Sequence, residues 1–252
     1  MLKALPINVA WRRLLTDIIA SGRKISPRGD PTLELDHQTI AVDATRAVIT
    51  EPERYLSYKF MAAEALWIIN GRDDLSYLLP YAPSYARFSD DGKTLAGAYG
   101  PRIWSQLSRT VELLCRDPDT RQAAISIWTP NPEPSKDTPC TIAIDFKIRG
   151  GELNAHVFMR SSDVWLGLPY DLASFSLLTV FVTWMLNRKG SKVIPGTLYL
   201  TASSSHLYVK NRAGVERVLA SSVGDEAIAI PNDYPLNLLQ SVLDGKKGWW
   251  EL

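Results

Sequence analysis

The segment RSSDVWLGLPYDL, residues 160–172, joins two strongly patterned parts of the chain. Residues 153–158 before it alternate apolar and polar side chains, which is typical of a strand with one buried face. Residues 169–187 after it place apolar side chains at helical spacing, and Pro169 suits the first turn of a helix. The segment therefore indicates a passage from a sheet to a long helix, with polar side chains left at the end of a strand.

Strand and helix patterns alternate through the rest of the chain. Gly150-Gly151 predicts a hairpin turn, residues 80–101 are typical of loops, and residues 23–31 form a polar stretch. Helices are predicted at residues 8–20, 52–69 and 103–115, and strands at residues 32–35, 39–42, 123–128, 141–148 and 197–203. This order favours an α+β fold, and we expect a single domain over residues 1–252.

Composition excludes several classes of protein. The chain has 28 basic and 27 acidic residues, so its net charge is only +1. This balance argues against a nucleic-acid partner, and any phosphate ligand is expected to be small. The longest apolar run, residues 177–186, is too short to span a bilayer, and no secretion signal is recognisable at the N-terminus, so we expect a cytoplasmic protein without a membrane partner. Its two cysteines form neither a disulfide framework nor a metal-binding spacing.

The pair Pro139-Cys140 contains the candidate nucleophile, because this thiol precedes a predicted strand in a short loop where it can be exposed and directed. Cys115, in contrast, lies on the apolar face of a predicted helix, where a small buried side chain is expected. A single cysteine is more often structural, and a reactive one needs positive charge nearby. Arg160 is the candidate for that charge, and together with Ser161 and Arg121 it would form a cradle for a phosphate.

Several ordered blocks of sequence carry a resemblance to a known family. They are EALWIING at residues 64–71, YG at 99–100, DPDTR at 117–121, PC at 139–140, RSSDVWLGLPY at 160–170 and HLY at 206–208. In this order they resemble thymidylate synthase and its relative deoxycytidylate hydroxymethylase, over about residues 23–208. The resemblance implies a large mixed sheet packed with helices and a homodimer formed through the sheet.

The resemblance also implies a reaction and a role for each matching residue. Cys140 would add to C6 of a pyrimidine nucleoside monophosphate, so that C5 attacks the methylene carbon of 5,10-methylenetetrahydrofolate, and no metal would take part. Glu64 would move protons through ordered water. The catalytic set would be Cys140, Glu64, Tyr99 and Asp171; the nucleotide would contact Arg160, Ser161, His206, Tyr208, either Arg23 or Arg28, and Arg121 supplied by the other subunit; the folate would contact Asp163, Tyr85, Trp67 and Gly167.

Asp171 stands where the synthase has the asparagine that recognises uracil. Cytosine offers an acceptor at N3 and a donor at N4, and a carboxyl group fits this pattern if it or N3 carries a proton. A site of buried polar pairs rejects the wrong pattern strongly, so the resemblance and this substitution together favour dCMP as the substrate. The alternative is that Asp171 only caps the helix that follows.

Other positions also differ from the synthase. Thr141 replaces the histidine after the nucleophile, Asp137 precedes the nucleophile by three residues, and Gln122 replaces the second arginine of the phosphate loop. Tyr85 replaces a tryptophan that lies against the folate, and the tail at residues 248–252 does not match the synthase. A wetter site of this kind favours 5-hydroxymethyl-dCMP as the product.

Alternatives remain open. Transfer of hydride would give 5-methyl-dCMP and dihydrofolate instead, and Trp249 and Trp250 could close the site against water. The substrate could also be dUMP, or CMP in place of dCMP, although Ser161 favours the deoxy sugar. A silent nucleotide-binding or RNA-binding homologue would not need the thiol, and a nucleic-acid methylase fits poorly with the neutral charge balance.

Overall fold

A seven-stranded mixed sheet organises the computed structural model, which describes residues 3–130, 133–222, 228–231 and 235–245. The main path of strands across the sheet runs β1-β2-β7-β5-β4-β3, and β6 pairs separately with β7. β7 is parallel to β5 and β6 but antiparallel to β2. The strands are β1 (Arg23–Ile25), β2 (Thr32–Asp43), β3 (Ala124–Ser126), β4 (Thr141–Arg149), β5 (Glu152–Met159), β6 (Ser162–Asp163) and β7 (Ile194–Tyr208).

Helices cover one face of this sheet. They are α1 (Ile7–Ser21), α2 (Tyr58–Ile69), α3 (Leu75–Leu78), α4 (Tyr99–Arg116), α5 (Leu168–Arg188), α6 (Arg212–Ala220) and α7 (Pro235–Leu243). α5 packs against α2, α4, β5 and β7, which places it in the hydrophobic core. By length and composition α5 could also cross a membrane, but 78% of its most apolar window is buried inside the protein, as expected of a core helix.

The structure confirms the predicted α+β architecture and the passage from sheet to helix. β5 ends at Met159, just before the segment RSSDVWLGLPYDL, and α5 begins at Leu168 within that segment. The hairpin at Gly150-Gly151 is also confirmed, and both glycines have positive φ angles, 61° and 82°. Such angles are those of a two-residue turn whose twist matches the strands that it joins.

Several predicted boundaries were wrong. Residues 32–35 and 39–42 are parts of one strand, β2, because pairing with β7 continues on both sides of His37, whose φ angle is 52°. The helix predicted from residue 52 begins only at Tyr58, after a short 3-10 turn at Pro52–Arg54 and after Tyr55, whose φ angle of 51° interrupts the helix. Local periodicity did not reveal these positive φ angles.

The stretch predicted as loop at residues 80–101 contains more structure than expected. A 3-10 helix covers Pro83–Phe88, and α4 begins at Tyr99 rather than at residue 103. The polar stretch at residues 23–31 contains β1, which pairs with the start of β2. These segments gain their conformation from tertiary pairing and packing, which single-sequence patterns do not encode.

Candidate active site

Half-buried polar side chains from different elements converge beside the amino end of α5. Cys140 precedes β4, Glu64 lies on α2, Tyr99 begins α4, Asp171 lies in the first turn of α5, and Tyr85 belongs to the 3-10 helix. The electrostatic contacts join Cys140 to Asp171, Asp171 to Glu64, and Tyr99 to both Asp171 and Cys140. The structure therefore gathers the predicted catalytic set, and the partly exposed side chains of Cys140, Glu64, Tyr99, Asp171 and Tyr85 define the catalytic cavity.

Arg160 fixes the loop that carries Cys140. Its Nε donates to the carbonyl oxygen of Pro139 at 2.9 Å, and its Nη2 donates to that of Thr138 at 3.0 Å. The same Nη2 lies 3.9 Å from Sγ of Cys140. The arginine predicted to lie beside the thiol is thus in contact with it.

The surroundings of Cys140 act on its pKa in both directions. Burial raises the pKa of Cys140 above its usual value, and the charge of Arg160 lowers it by less. The carboxyls of Asp171 and Asp137 also raise this pKa, whereas Arg28 lowers it. Arg160 and Arg28 are thus the groups that favour the thiolate, the form of cysteine that acts as a nucleophile.

Glu64 is an isolated acid on an otherwise buried helix face. It keeps some accessible surface, whereas its neighbours Ala63 and Ala65 are fully buried, so its carboxyl points into the cavity. Burial raises the pKa of Glu64 to about 7, against the opposing effect of a hydrogen bond from Tyr85. A carboxyl group with this pKa can take up and release a proton near neutral pH.

Asp171 does not cap the helix in which it lies. α5 has Gly167 as its N-cap residue with no side-chain capping bond, and Asp171 follows inside the first turn. A Cβ atom at Gly167 would lie 3.4 Å from Oδ2 of Asp171, so Gly167 adjoins this carboxyl. Burial, then Glu64 and Asp163, raise the pKa of Asp171 well above its usual value, which favours the neutral acid.

Tyr99 lies between the nucleophile and α5. Its ring stacks on Phe175 with 5.9 Å between the ring centroids. Burial, reinforced by the charges of Asp171 and Cys140, raises the pKa of Tyr99 well above its usual value, so its hydroxyl stays protonated and can donate. This placement agrees with the expected role of Tyr99 beside the substrate, which stays a prediction.

The residues predicted for the phosphate and sugar lie together around β6 and the end of β7. Ser161 Oγ lies 3.3 Å from Nδ1 of His206, and the ring of His206 meets that of Tyr208 edge-on at 5.5 Å between centroids. Asp163 pairs with His206 across the two strands. A hydroxyl and an imidazole near Arg160 can bind a phosphate and a sugar hydroxyl.

The structure distinguishes the two arginines left open for the phosphate. Arg23 is engaged in ion pairs with Glu34 at 2.9 Å and Asp36 at 3.1 Å. Arg28 lies in an exposed turn with a φ angle of 55°, close enough to lower the pKa of Cys140 electrostatically. Arg28 is therefore the better candidate for the additional phosphate contact.

Arg121 is exposed in the loop before β3, with Gln122 beside it. Within the part of the chain that the structure describes, no hydrogen bond or ion pair joins Arg121 to the cavity. The resemblance implies that Arg121 contributes to the phosphate site of another subunit, and this stays a prediction.

The residues predicted for the folate are only partly gathered. Asp163 accepts from the backbone N–H groups of Trp165 and Leu166 through Oδ1 alone, and Leu166 is 42% exposed. A carboxylate oxygen beside an apolar surface fits the amino and ring N–H groups of a pterin. Trp67, in contrast, is only 5% exposed and donates to the carbonyl oxygen of Asp74, so the structure places it in the core.

Sequence reasoning missed Arg54. Its guanidinium lies 4.7 Å from the ring centroid of Trp165, and its Nη2 donates to the carbonyl oxygen of that residue at 2.7 Å. Arg54 also interacts electrostatically with Asp163 and Tyr170, so it supports the folate side of the cavity. Its position in a stretch with helical periodicity gave no local signal of this contact.

Asp137 connects two loops beside the nucleophile. Its Oδ2 accepts from the backbone N–H of Gly97 at 2.7 Å, and burial raises its pKa. Asp90 reinforces the connection by accepting from the hydroxyl of Ser135.

Among the described residues, no cluster of three or more His, Cys, Asp or Glu side chains could hold a metal ion. The tail at residues 248–252, with Trp249 and Trp250, lies outside the described residues.

Comparison with known proteins identifies the family of this chain. Residues 9–230 match the family model described as thymidylate synthase. The Deoxyuridylate hydroxymethyltransferase of Bacillus phage SP01 is 32% identical over 219 residues, which covers 78% of this chain and 55% of that protein. This chain thus spans about half the length of that relative. The family match and the identity to this relative show that the chain belongs to the thymidylate synthase family.

Proposed function

We propose that this chain is a folate-dependent transferase that places a hydroxymethyl group on C5 of dCMP. The observation that carries the proposal is the shared cavity of Cys140, Glu64 and Asp171, with Arg160 against the thiol. A nucleotide-binding module without catalysis has no need of a thiol and a buried acid in one cavity. The family membership supports one-carbon transfer as the reaction class.

Covalent addition begins at Cys140. Arg160, which is already beside Sγ, orients the loop and stabilises the developing thiolate as Sγ bonds to C6 of the base. The addition makes C5 nucleophilic, and 5,10-methylenetetrahydrofolate supplies the one-carbon unit when it is bound. Asp163, Leu166 and Tyr85 would hold this folate. Glu64 then takes up and releases protons at the ring, which its pKa of about 7 permits.

Asp171 supports cytosine as the base. Burial and the neighbouring carboxyls raise the pKa of Asp171 well above its usual value, which favours the neutral carboxyl, and in that form the group presents one donor and one acceptor. The donor would bond N3 of cytosine, and the acceptor would bond the N4 amino group. A base that left either group unpaired would bind weakly, because buried polar groups are costly to leave without a partner.

The product depends on what reaches the exocyclic methylene at C5 while C6 remains bonded to Cys140. Addition of water gives the hydroxymethyl group, whereas delivery of hydride gives 5-methyl-dCMP and dihydrofolate. The polar groups of Tyr85 and Asp137 near the cavity support addition of water. The name of the phage relative, a hydroxymethyltransferase, points the same way.

A second candidate substrate is dUMP. A neutral carboxyl at Asp171 can carry its proton on either oxygen, so it could also donate to O4 and accept from N3–H of uracil. The phage relative is named for deoxyuridylate, which favours this candidate. The two candidates therefore differ in the oxygen of Asp171 that faces N3. The protonated oxygen faces N3 of cytosine, and the unprotonated oxygen faces N3–H of uracil.

One experiment tests substrate and product together. The protein is incubated separately with dCMP, CMP and dUMP in the presence of 5,10-methylenetetrahydrofolate, and the mass of each nucleotide product is measured. We expect a hydroxymethyl adduct on dCMP without formation of dihydrofolate. Conversion of dUMP alone would overturn the substrate proposal, and stoichiometric dihydrofolate would replace it with a methyltransferase.

We also propose that the sheet face opposite α5 joins two subunits. This face presents Phe158, 37% exposed and stacked on His156 with 4.1 Å between the ring centroids, next to Tyr199. A shallow cavity bordered by Asp145, Lys147, His156 and Tyr199 offers both signs of charge to a second copy. Such a dimer would let Arg121 of one subunit complete the phosphate site of the other.

A further inference from the structure

The hydroxyl of Tyr85 donates to Oε1 of Glu64 at 2.7 Å. The ring that carries it packs against Phe60, at 5.3 Å between ring centroids, and against Phe88 edge-on at 5.8 Å. Both residues of the pair are half-buried and reach the cavity from different elements, the 3-10 helix and α2. Aromatic packing on two sides therefore aims the hydroxyl at the carboxyl.

We propose that Tyr85 is a positioning residue for Glu64, because its hydroxyl fixes Oε1 and leaves Oε2 as the oxygen that exchanges protons with substrate and water. This role is additional to the predicted contact of Tyr85 with the folate. Its catalytic consequence rests on the proposed function. A phenol that donates to Oε1 occupies that oxygen as an acceptor, so a proton on the carboxyl resides on Oε2. The rotation of the carboxyl is restrained at the same time.

The groups that face Glu64 make the direction of the effect clear. Tyr85 interacts from the 3-10 helix, Asp171 and Tyr170 interact from α5, and Tyr99 of α4 acts on Tyr85 and Asp171. α7, which also packs on α2, contains no titratable residue. Of these groups, Tyr85 is the one that stabilises ionised Glu64, and its removal raises the pKa of Glu64 further.

The test compares Tyr85→Phe with the unmodified protein. We measure the ionisation of Glu64 by infrared titration, with Glu64→Gln as the subtracted reference, and the pH dependence of kcat/KM. The expected result in both is an upward shift of the titration by about one pH unit. Tyr81→Phe removes a phenol hydroxyl outside the cavity and is the matched control, for which no shift is expected.

A second variant keeps the test decisive if Tyr85→Phe does not fold. A fluorotyrosine at position 85 is a stronger donor of the same shape, and it should shift the Glu64 titration downward. If neither variant shifted the titration of Glu64 and only the KM for folate rose, the proposal would be overturned. Tyr85 would then only contact the folate. The infrared titration needs no turnover, so a failure of the proposed function is seen separately, as absence of product from the unmodified protein.

Discussion

Nη2 of Arg160 lies 3.9 Å from Sγ of Cys140 while the same guanidinium holds the carbonyl oxygens of Thr138 and Pro139. In addition, the backbone N–H of Arg160 donates to the carbonyl oxygen of Cys140 at 2.8 Å. Arg160 therefore both fixes the position of Cys140 and places a positive charge beside its thiol. A substrate phosphate would meet a guanidinium that is already fixed in place.

Replacement of the Arg160 guanidinium by the single ammonium group of lysine should weaken nucleotide binding. We expect Arg160→Lys to lower affinity for dCMP by about 10-fold to 100-fold, because charge-assisted hydrogen bonds contribute about 1.5–3 kcal/mol. Calorimetric titration measures the change. Arg109→Lys, an exposed position on α4, is the matched control. Unchanged affinity in Arg160→Lys would remove Arg160 from the phosphate site.

Loss of the Cys140 thiol should abolish the reaction but leave the protein folded. Cys140→Ser is expected to lower kcat by about 1000-fold or more, since a hydroxyl is a far weaker nucleophile of similar size. Thermal unfolding and nucleotide binding should stay close to those of the unmodified protein. The same substitution at Cys115, which lies on α4 away from the cavity, serves as the control. Substantial turnover by Cys140→Ser would contradict covalent catalysis.

A change at the base-recognition position should alter the choice of nucleotide. Asp171→Asn is expected to shift the ratio of kcat/KM values from dCMP toward dUMP by about 100-fold, because an amide has fixed donor and acceptor atoms. Parallel assays with the two nucleotides measure the ratio. If the ratio does not move, another residue recognises the base.

Glu64 should make stability depend on pH. Its folded-state pKa, about 7, exceeds the ordinary 4.5, so its neutral form is favoured by folding. This stability is fully present below about pH 4.5 and is lost as pH rises through about 7. At about pH 8, Glu64→Gln should therefore raise the free energy of unfolding by about 1–3 kcal/mol while abolishing turnover. Denaturant unfolding at both ends of this range checks the sign, and equal stabilisation at low pH would refute the argument.

Mixed dimers should reveal whether the two subunits share a site. Arg121→Ala and Cys140→Ser would each be inactive as homodimers, whereas a heterodimer of the two has one cavity with an intact thiol and an intact arginine from the other subunit. We expect mixing and reassembly to restore about a quarter of the activity. Absence of restored activity, with heterodimers present by mass measurement, would argue that Arg121 acts in its own subunit.

Sequence patterns predicted most of the fold but few of the details that shape the site. The period of apolar residues located α1, α5, β4 and β5, because these elements bury one continuous face or are buried throughout. It failed at Tyr55 and His37, where a positive φ angle ends or bends an element. Backbone angles of this kind are set by contacts between distant segments.

The candidate site was predictable as a set of residues rather than as a geometry. The ordered blocks identified Cys140, Glu64 and Asp171, and the structure places them together. Arg54 and the hydrogen bond from Tyr85 to Glu64 were not predictable, since each joins segments with no common pattern. The choice of Arg28 over Arg23 likewise depended on the ion pairs formed by Arg23.

The pairing of β2 with β7 has a consequence for how the protein is made. Thr32 pairs with Tyr208 and Asp43 pairs with Thr197, so β2 leaves the ribosome long before its partner exists. A waiting strand with unpaired N–H and C=O groups can join other chains, and closure of such a long loop slows folding. His206 and Tyr208 lie on the late strand, opposite Glu34 and Thr32. A nascent chain therefore acquires its nucleotide site only when the sheet closes, and refolding yield should depend steeply on protein concentration.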